Sequence, residues 1–171
     1  MGELVFEDVE LPAESLLGRE GRGSRIFNQA LEWERGAILA SVVGTMQRQV
    51  DRCIERARKR KQFGQSIGKF QSVSNRIVDM LTRVETSRYM VHRYAWLKKQ
   101  GKDATIAASM AKLHVSECFA QNSLDAVRIF GAQGYTVEEG LERDVRDSTG
   151  GVLFSGTNDI QRNIIAQHLR I

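Results

Sequence analysis

Apolar residues recur at intervals of three, four and seven from about Ser24 to Lys61, where Leu31, Ile38, Val42, Met46, Val50, Cys53 and Ala57 form one stripe. That spacing predicts a single helix about 57 Å long at about 1.5 Å per residue. After the turn "FGQSIG", a second stripe of Val73, Ile77, Met80, Val84, Val91 and Ala95 predicts a helix from about Lys69 to Lys99, which "QGKD" ends. A third covers about Ala104 to Phe130, and its small residues Ala107, Ala108, Ala111 and Ala120 permit close helix approach. Beyond "GAQGY" the pattern gives a short helix around Glu138 to Arg146, a "STGG" loop and a last helix from about Asn158 to Leu169. The fold class is therefore all-α, an antiparallel up-down four-helix bundle with short connections.

The first residues break this pattern. "GELVFEDVELP" reads as a β-strand running into Pro12, and "LLGREGRG" as a glycine-rich connection. A lone strand is not stable, and no later segment offers a partner. Residues 1–23 are thus expected to be the last strand and exit loop of a β-domain lying outside this chain, with 24–171 the C-terminal helical domain.

Composition narrows the picture. Only one proline, Pro12, occurs in 171 residues, which suits long uninterrupted helices. Lys+Arg number 25 against 21 Asp+Glu, a mixed balance with net charge +4. The densest basic run, "RARKRK" from Arg56 to Lys61, fits a nucleic acid, a phosphate-bearing cofactor or a solvated helix end. Cys53 and Cys118 fall within helical patterns without metal-ligand spacing, as do His92, His114 and His168, so no metal site is expected. No apolar run is long enough to span a bilayer, and a reducing, cytoplasmic setting with no membrane partner is expected.

Two stretches carry candidate chemistry. "FSGTNDIQR", Phe154 to Arg162, places a glycine and the cap-type residues Thr157, Asn158 and Asp159 where the last helix begins, leaving free N–H groups for an anion or a polarised ligand edge. Ser155 is a poor acid or base. In "ALEWERGAI", by contrast, Leu31, Glu34 and Ile38 stand at i, i+3 and i+7, which sets a carboxylate on the apolar stripe. A carboxylate short of solvation is suited to abstracting a proton near neutral pH. A pairing with a core arginine, or a rotated helix that exposes Glu34, would account for the same spacing.

"RKQFGQSIGKFQ" (Arg60 to Gln71), "RIFGAQGYTVEEGLERDVRDS" (Arg128 to Ser148) and "SGTNDIQRNIIAQHL" (Ser155 to Leu169) together resemble the C-terminal domain of the acyl-CoA dehydrogenase family. The opening "LVFEDVELPAESLLGREGRG" resembles the last strand of that family's middle β-domain. The resemblance implies that Arg60 meets the FAD pyrophosphate, that Phe63 packs on the cofactor and that Gln71 lies near its adenosine part. It places a flavin contact across subunits at Arg128, Gly131 and Ala132, although Arg128 stands where relatives have glutamine and Ala132 where they have glycine. The flavin-side turn falls on Gly156, Thr157 and Asp159. Most members carry their catalytic glutamate where this chain has Ser155, and a minority place it on the first long helix before an arginine. Glu34-Arg35 matches that second place.

The resemblance thus implies FAD-dependent α,β-dehydrogenation of an acyl-CoA, with Glu34 as base and Arg35, Phe154, Ser155 and Gly156 bordering the substrate. A dehydrogenase of acyl-carrier-protein thioesters in secondary metabolism would read much the same. So would a non-catalytic helical oligomerisation module derived from the family. Electron-transfer flavoprotein or another electron acceptor, and a homodimer or homotetramer, are the implied partners. Phosphate binding at Arg60 makes a nucleic-acid role for the basic run unnecessary.

Overall fold

The computed structural model describes residues 2–171. Helix α1 spans Gly23–Lys59, α2 Gln71–Lys99, α3 Thr105–Phe130, α4 Ala132–Tyr135, α5 Leu141–Gly151 and α6 Asn158–Leu169. Between α1 and α2, strands β1 (Lys61–Gln62) and β2 (Gln65–Ser66) pair antiparallel. Phe63 and Gly64 turn that hairpin with φ of 51° and 78°, the doubly left-handed turn that matches strand twist.

Helices α1 and α2 run antiparallel, since Glu32 near the start of α1 meets Lys98 near the end of α2 at 2.7 Å. Helix α3 reverses again and packs against α1, α2, α4, α5 and α6. Its expected small-residue face is buried at Ala107, Ala108 and Ala111. Leu39, Met46, Val50 and Cys53 of α1 meet Met80 and Val84 of α2, and Val115, Phe119 and Ile129 of α3, in one core. Burying each large side chain contributes about 1.5–3 kcal/mol before entropy.

Both thiols are free and buried, as expected. Asp144 at 5% exposure accepts both Arg48 Nη2 (2.8 Å) and Gln49 Nε2 (3.1 Å), so the charged run of α5 docks this short helix on α1. Asp125, 3% exposed, draws Arg83 (2.9 Å), Arg128 (3.2 Å) and Arg76 (3.3 Å) to the C-terminal part of α3.

Three differences from the expected pattern have physical causes. "STGG" completes α5 instead of forming a loop, because Ser148 and Gly151 pack inward. Residues 2–12 are exposed, bend at Glu7 and Asp8 (Asp8 φ 49°) and join no ladder, since an isolated strand has nothing to pair with. The buried face of α1 runs through Arg35, Leu39 and Val43, while Ile38 and Val42 are only half-buried. The paired residues Ile38-Leu39 and Val42-Val43 offer two apolar faces one residue apart. Gly36 settles the choice, since it lies so close to Tyr94 that an added Cβ would stand 1.8 Å from Tyr94 Cε1.

Candidate active site

The segment Val152–Thr157 joins α5 to α6 and contains two consecutive left-handed residues, Ser155 (φ 55°) and Gly156 (φ 85°). A non-glycine residue there costs roughly 1–2 kcal/mol, so the surroundings must hold it. Arg35 Nε donates to Ser155 O at 2.8 Å, and Gln161 Nε2 donates to Gly156 O at 2.9 Å and Ser155 O at 3.3 Å. A side chain at Gly156 would be strained by its φ of 85° and would crowd Gln161 Nε2 at 3.0 Å. Thr157 caps α6, its hydroxyl accepting from Ile160 N at 3.3 Å. The capped helix start expected from "GTND" is therefore present, with Asp159 exposed in the first turn and paired to Arg162.

Held this way, the turn meets the first helix across 121 residues of sequence: Ser155 Oγ donates to Glu34 Oε1 at 2.7 Å. Glu34 is exposed, which corrects the expectation that it lies on the buried stripe. The one-residue rotation of α1 buries its neighbour Arg35 at 8% exposure instead. Burial lowers the Arg35 pKa, and the carboxylates of Glu34 and Glu32 oppose that shift. Ile38, one turn beyond Glu34, and Phe154 border an open cleft of about 430 Å³ that also includes Val42 and Phe119. The carboxylate oriented by Ser155 thus lies one helical turn from a cleft whose other walls are charged, formed by Arg48, Arg143, Asp144 and Asp147.

Sequence reasoning missed Lys112 and Gln161 beneath the turn, and it read Asn158 only as a cap-type residue. Lys112 of α3 is 0% exposed, as is Gln161 of α6, and Asn158 is 5% exposed. Lys112 falls four residues after Ala108 and one after Ala111, so the small-residue face of α3 was the available signal for its burial.

The remaining candidates gather at the far end of α1, about 39 Å from Glu34 along the helix. Arg60 and Phe63 are exposed there, Gln71 begins α2, and the Phe63 ring stands edge-on to Phe70 at 6.1 Å. Gly131 at the end of α3 takes φ 66° and ψ −140°, a conformation for glycine, while Ala132 begins α4. Arg128 is turned toward Asp125. Arg52, Arg56, Lys59, Arg60, Phe130 and Glu139 line an open basic cleft of about 400 Å³. Arg56 Nε is buried there with no hydrogen-bond partner, which suits an anionic ligand such as a pyrophosphate. Trp33 and Trp96 are half-exposed under Lys98 and Lys102.

Among the described residues no cluster of His, Cys, Asp and Glu could hold a metal ion. No helix is long and apolar enough to cross a membrane. A family profile described as "Acyl-CoA dehydrogenase, C-terminal domain" matches residues 21–170. The chain belongs to this family. Among its relatives are L-prolyl-[peptidyl-carrier protein] dehydrogenases of Pseudomonas fluorescens, 42% identical over 99% of this chain and 45% of that one, and of Serratia, 44% identical over 98% and 43%. A short-chain acyl-CoA dehydrogenase of Megasphaera elsdenii is 36% identical over 93% of this chain and 42% of its own. The chain thus spans less than half the length of the curated relatives it matches. Two solved structures superpose with a TM-score of 0.93. They are the prolyl acyl carrier protein oxidase AnaB, 46% identical over 96% of this chain and 44% of that one, and PigA with FAD and proline, 42% identical over 96% and 43%. These family likenesses agree with the helical architecture seen here.

Proposed function

We propose that the chain is the C-terminal domain of an FAD-dependent enzyme that dehydrogenates a prolyl thioester held on a peptidyl carrier protein, with Glu34 as the catalytic base. The hydrogen bond from Ser155 to Glu34 carries this reading, because it fixes a carboxylate beside the turn where the family resemblance puts the reaction. Greater identity to the prolyl-carrier dehydrogenases, 42% and 44% against 36% for the short-chain acyl-CoA enzyme, favours the carrier-bound substrate over acyl-CoA.

In this mechanism Ser155 Oγ–H steadies Oε1 of Glu34, and Oε2 takes the proton from the carbon beside the thioester carbonyl. Bound FAD supplies the acceptor for the β-hydrogen, which departs with its electron pair. Arg35 is a positioning residue that holds Ser155 O, while Phe154 shapes the edge of the cleft and Gly156 continues the turn that presents Ser155. Thr157, Asp159 and the open amides of α6 border the cofactor at this end. At the other end Arg60, which lines the basic cleft, would hold its phosphates, and Phe63, Gln71, Gly131, Ala132 and Arg128 would contribute to the rest of the cofactor site. The distance of about 39 Å along α1 between the two groups favours a flavin site built from two copies of the chain. Leu4, Phe6 and Leu11, all at least 73% exposed, are assigned to a strand of an adjoining β-domain. An electron-transfer flavoprotein or another electron acceptor is the partner that this reading implies.

Incubating the full-length protein with prolyl-carrier thioester and a dye acceptor is expected to remove two hydrogens from the prolyl group, read by mass spectrometry of the released prolyl-pantetheine. An unchanged mass would defeat the reading. Sedimentation of the full-length protein is expected to show a dimer or tetramer, and a monomer at all concentrations would contradict the shared site. Arg60→Ala is expected to weaken FAD retention by about 1.5–3 kcal/mol, the range for a charge-assisted phosphate contact. Equilibrium dialysis of the flavin checks it, and unchanged affinity would reduce Arg60 to surface charge.

A further inference from the structure

Lys112 is the largest fully buried side chain, and no carboxylate lies within ion-pair distance of its ammonium among the described residues. Its Nζ donates to Asn158 Oδ1 at 2.7 Å and to Val152 O at 3.2 Å, and the Phe154 ring stands 5.8 Å away. These partners are the first residue after α5, the first residue of α6, and a member of the turn between them. One ammonium on α3 therefore ties together both ends of the segment that presents Ser155 to Glu34. Asn158 spreads the attachment further, its Nδ2 donating to Glu117 Oε1 at 2.9 Å.

A charge in this place opposes folding. Burial pulls the Lys112 pKa down to about 8, with Arg35 adding to the shift and Glu117 opposing it. Neither acceptor depends on the lysine for satisfaction. Asn158 Oδ1 also accepts from Ser116 Oγ at 3.1 Å, and Val152 O also accepts from the Asn158 amide at 3.1 Å. Removing the ammonium would orphan no buried oxygen and would lift a desolvation cost. A group retained at such a cost, on the back of a turn with two left-handed residues, fits a role in geometry more than in stability.

We propose that Lys112 is a positioning residue whose buried ammonium clamps the Val152–Asn158 turn from behind and thereby sets the reach of Ser155 toward Glu34. The proposal rests on the dehydrogenase reading for its catalytic consequence, though not for the clamp itself.

The test is Lys112→Met in the full-length protein, a replacement of similar length without charge. Three readouts are needed. The melting temperature is expected to stay at or above that of the parent. Amide exchange at Leu153, Phe154 and Asn158 in the flavin-free protein is expected to speed up by about tenfold or more, with α3 unchanged. Flavin reduction at saturating thioester is expected to slow by about three- to tenfold, no more than in Ser155→Ala, while the concentration for half-saturation moves by less than about twofold, the pattern of a contact that matters only to the chemical step. A clear fall in melting temperature, or failure to fold, would overturn the proposal by making Lys112 a structural residue. Unchanged exchange at the three amides would overturn it by showing that nothing was clamped. If the parent protein itself shows no reduction by thioester, the dehydrogenase reading fails, and the exchange result alone decides the clamp.

Discussion

Glu34→Gln in the full-length protein is expected to keep FAD bound and to lose flavin reduction by its thioester substrate by about 10²–10⁴-fold, the contribution of a positioned general base. The amide keeps the shape of the carboxylate and can still accept the Ser155 hydroxyl, but it cannot take a carbon-bound proton. Ser155→Ala removes a single hydrogen bond at a partly open site and leaves the carboxylate in place. Its expected effect is about tenfold or less, since such a bond contributes about 0.5–1.5 kcal/mol. Rapid mixing under anaerobic conditions separates the two. Equal losses in both variants would mean that Ser155 and Glu34 act as one unit, and a fast Glu34→Gln protein would move the base elsewhere.

Gly36→Ala is expected to destabilise the helical domain by about 3 kcal/mol, at the upper end for overpacking a well-filled contact. The added methyl would sit 1.8 Å from Tyr94 Cε1 and 2.1 Å from Tyr94 Cζ, so the ring must leave its place. Tyr94 is 4% exposed and its hydroxyl donates to Glu32 O at 3.2 Å, which couples the displacement to the Lys98–Glu32 ion pair. Gly44→Ala provides the opposite sign on the same helix. Nothing lies within 4 Å of a Cβ there, and alanine is favoured over glycine in a helix interior by about 1 kcal/mol. Urea unfolding of the two variants is expected to move in opposite directions; a neutral Gly36→Ala would place the Tyr94 ring elsewhere.

The contrast between those two glycines shows what the sequence could and could not reveal. Period and breakers located the helices well, and Thr157 with Asn158 marked the start of α6 because a cap residue leaves a local signature. The rotation of α1 was not legible, since both Ile38-Leu39 and Val42-Val43 satisfy the helical period and the decision belongs to Tyr94, 58 residues beyond Gly36. Glu34 was consequently assigned to the buried face. Its role in the proposal survives for a different reason, the contact with Ser155 that pattern alone could not supply. Lys112 was passed over because its charge reads as a surface position even though the small-residue face around it pointed to burial, and only tertiary structure shows the oxygens that receive it. The "STGG" stretch has the composition of a loop, yet packing of Ser148 and Gly151 outweighs that local preference.

The most direct measurement is the absorbance of the oxidised flavin in the full-length protein, followed after anaerobic mixing with a prolyl-loaded peptidyl carrier protein and, separately, with butyryl-CoA. Rapid bleaching by the carrier thioester, little by butyryl-CoA, and none in the Glu34→Gln protein is the expected result. Bleaching by butyryl-CoA alone, or a carrier-driven bleaching that persists without the Glu34 carboxylate, would contradict it.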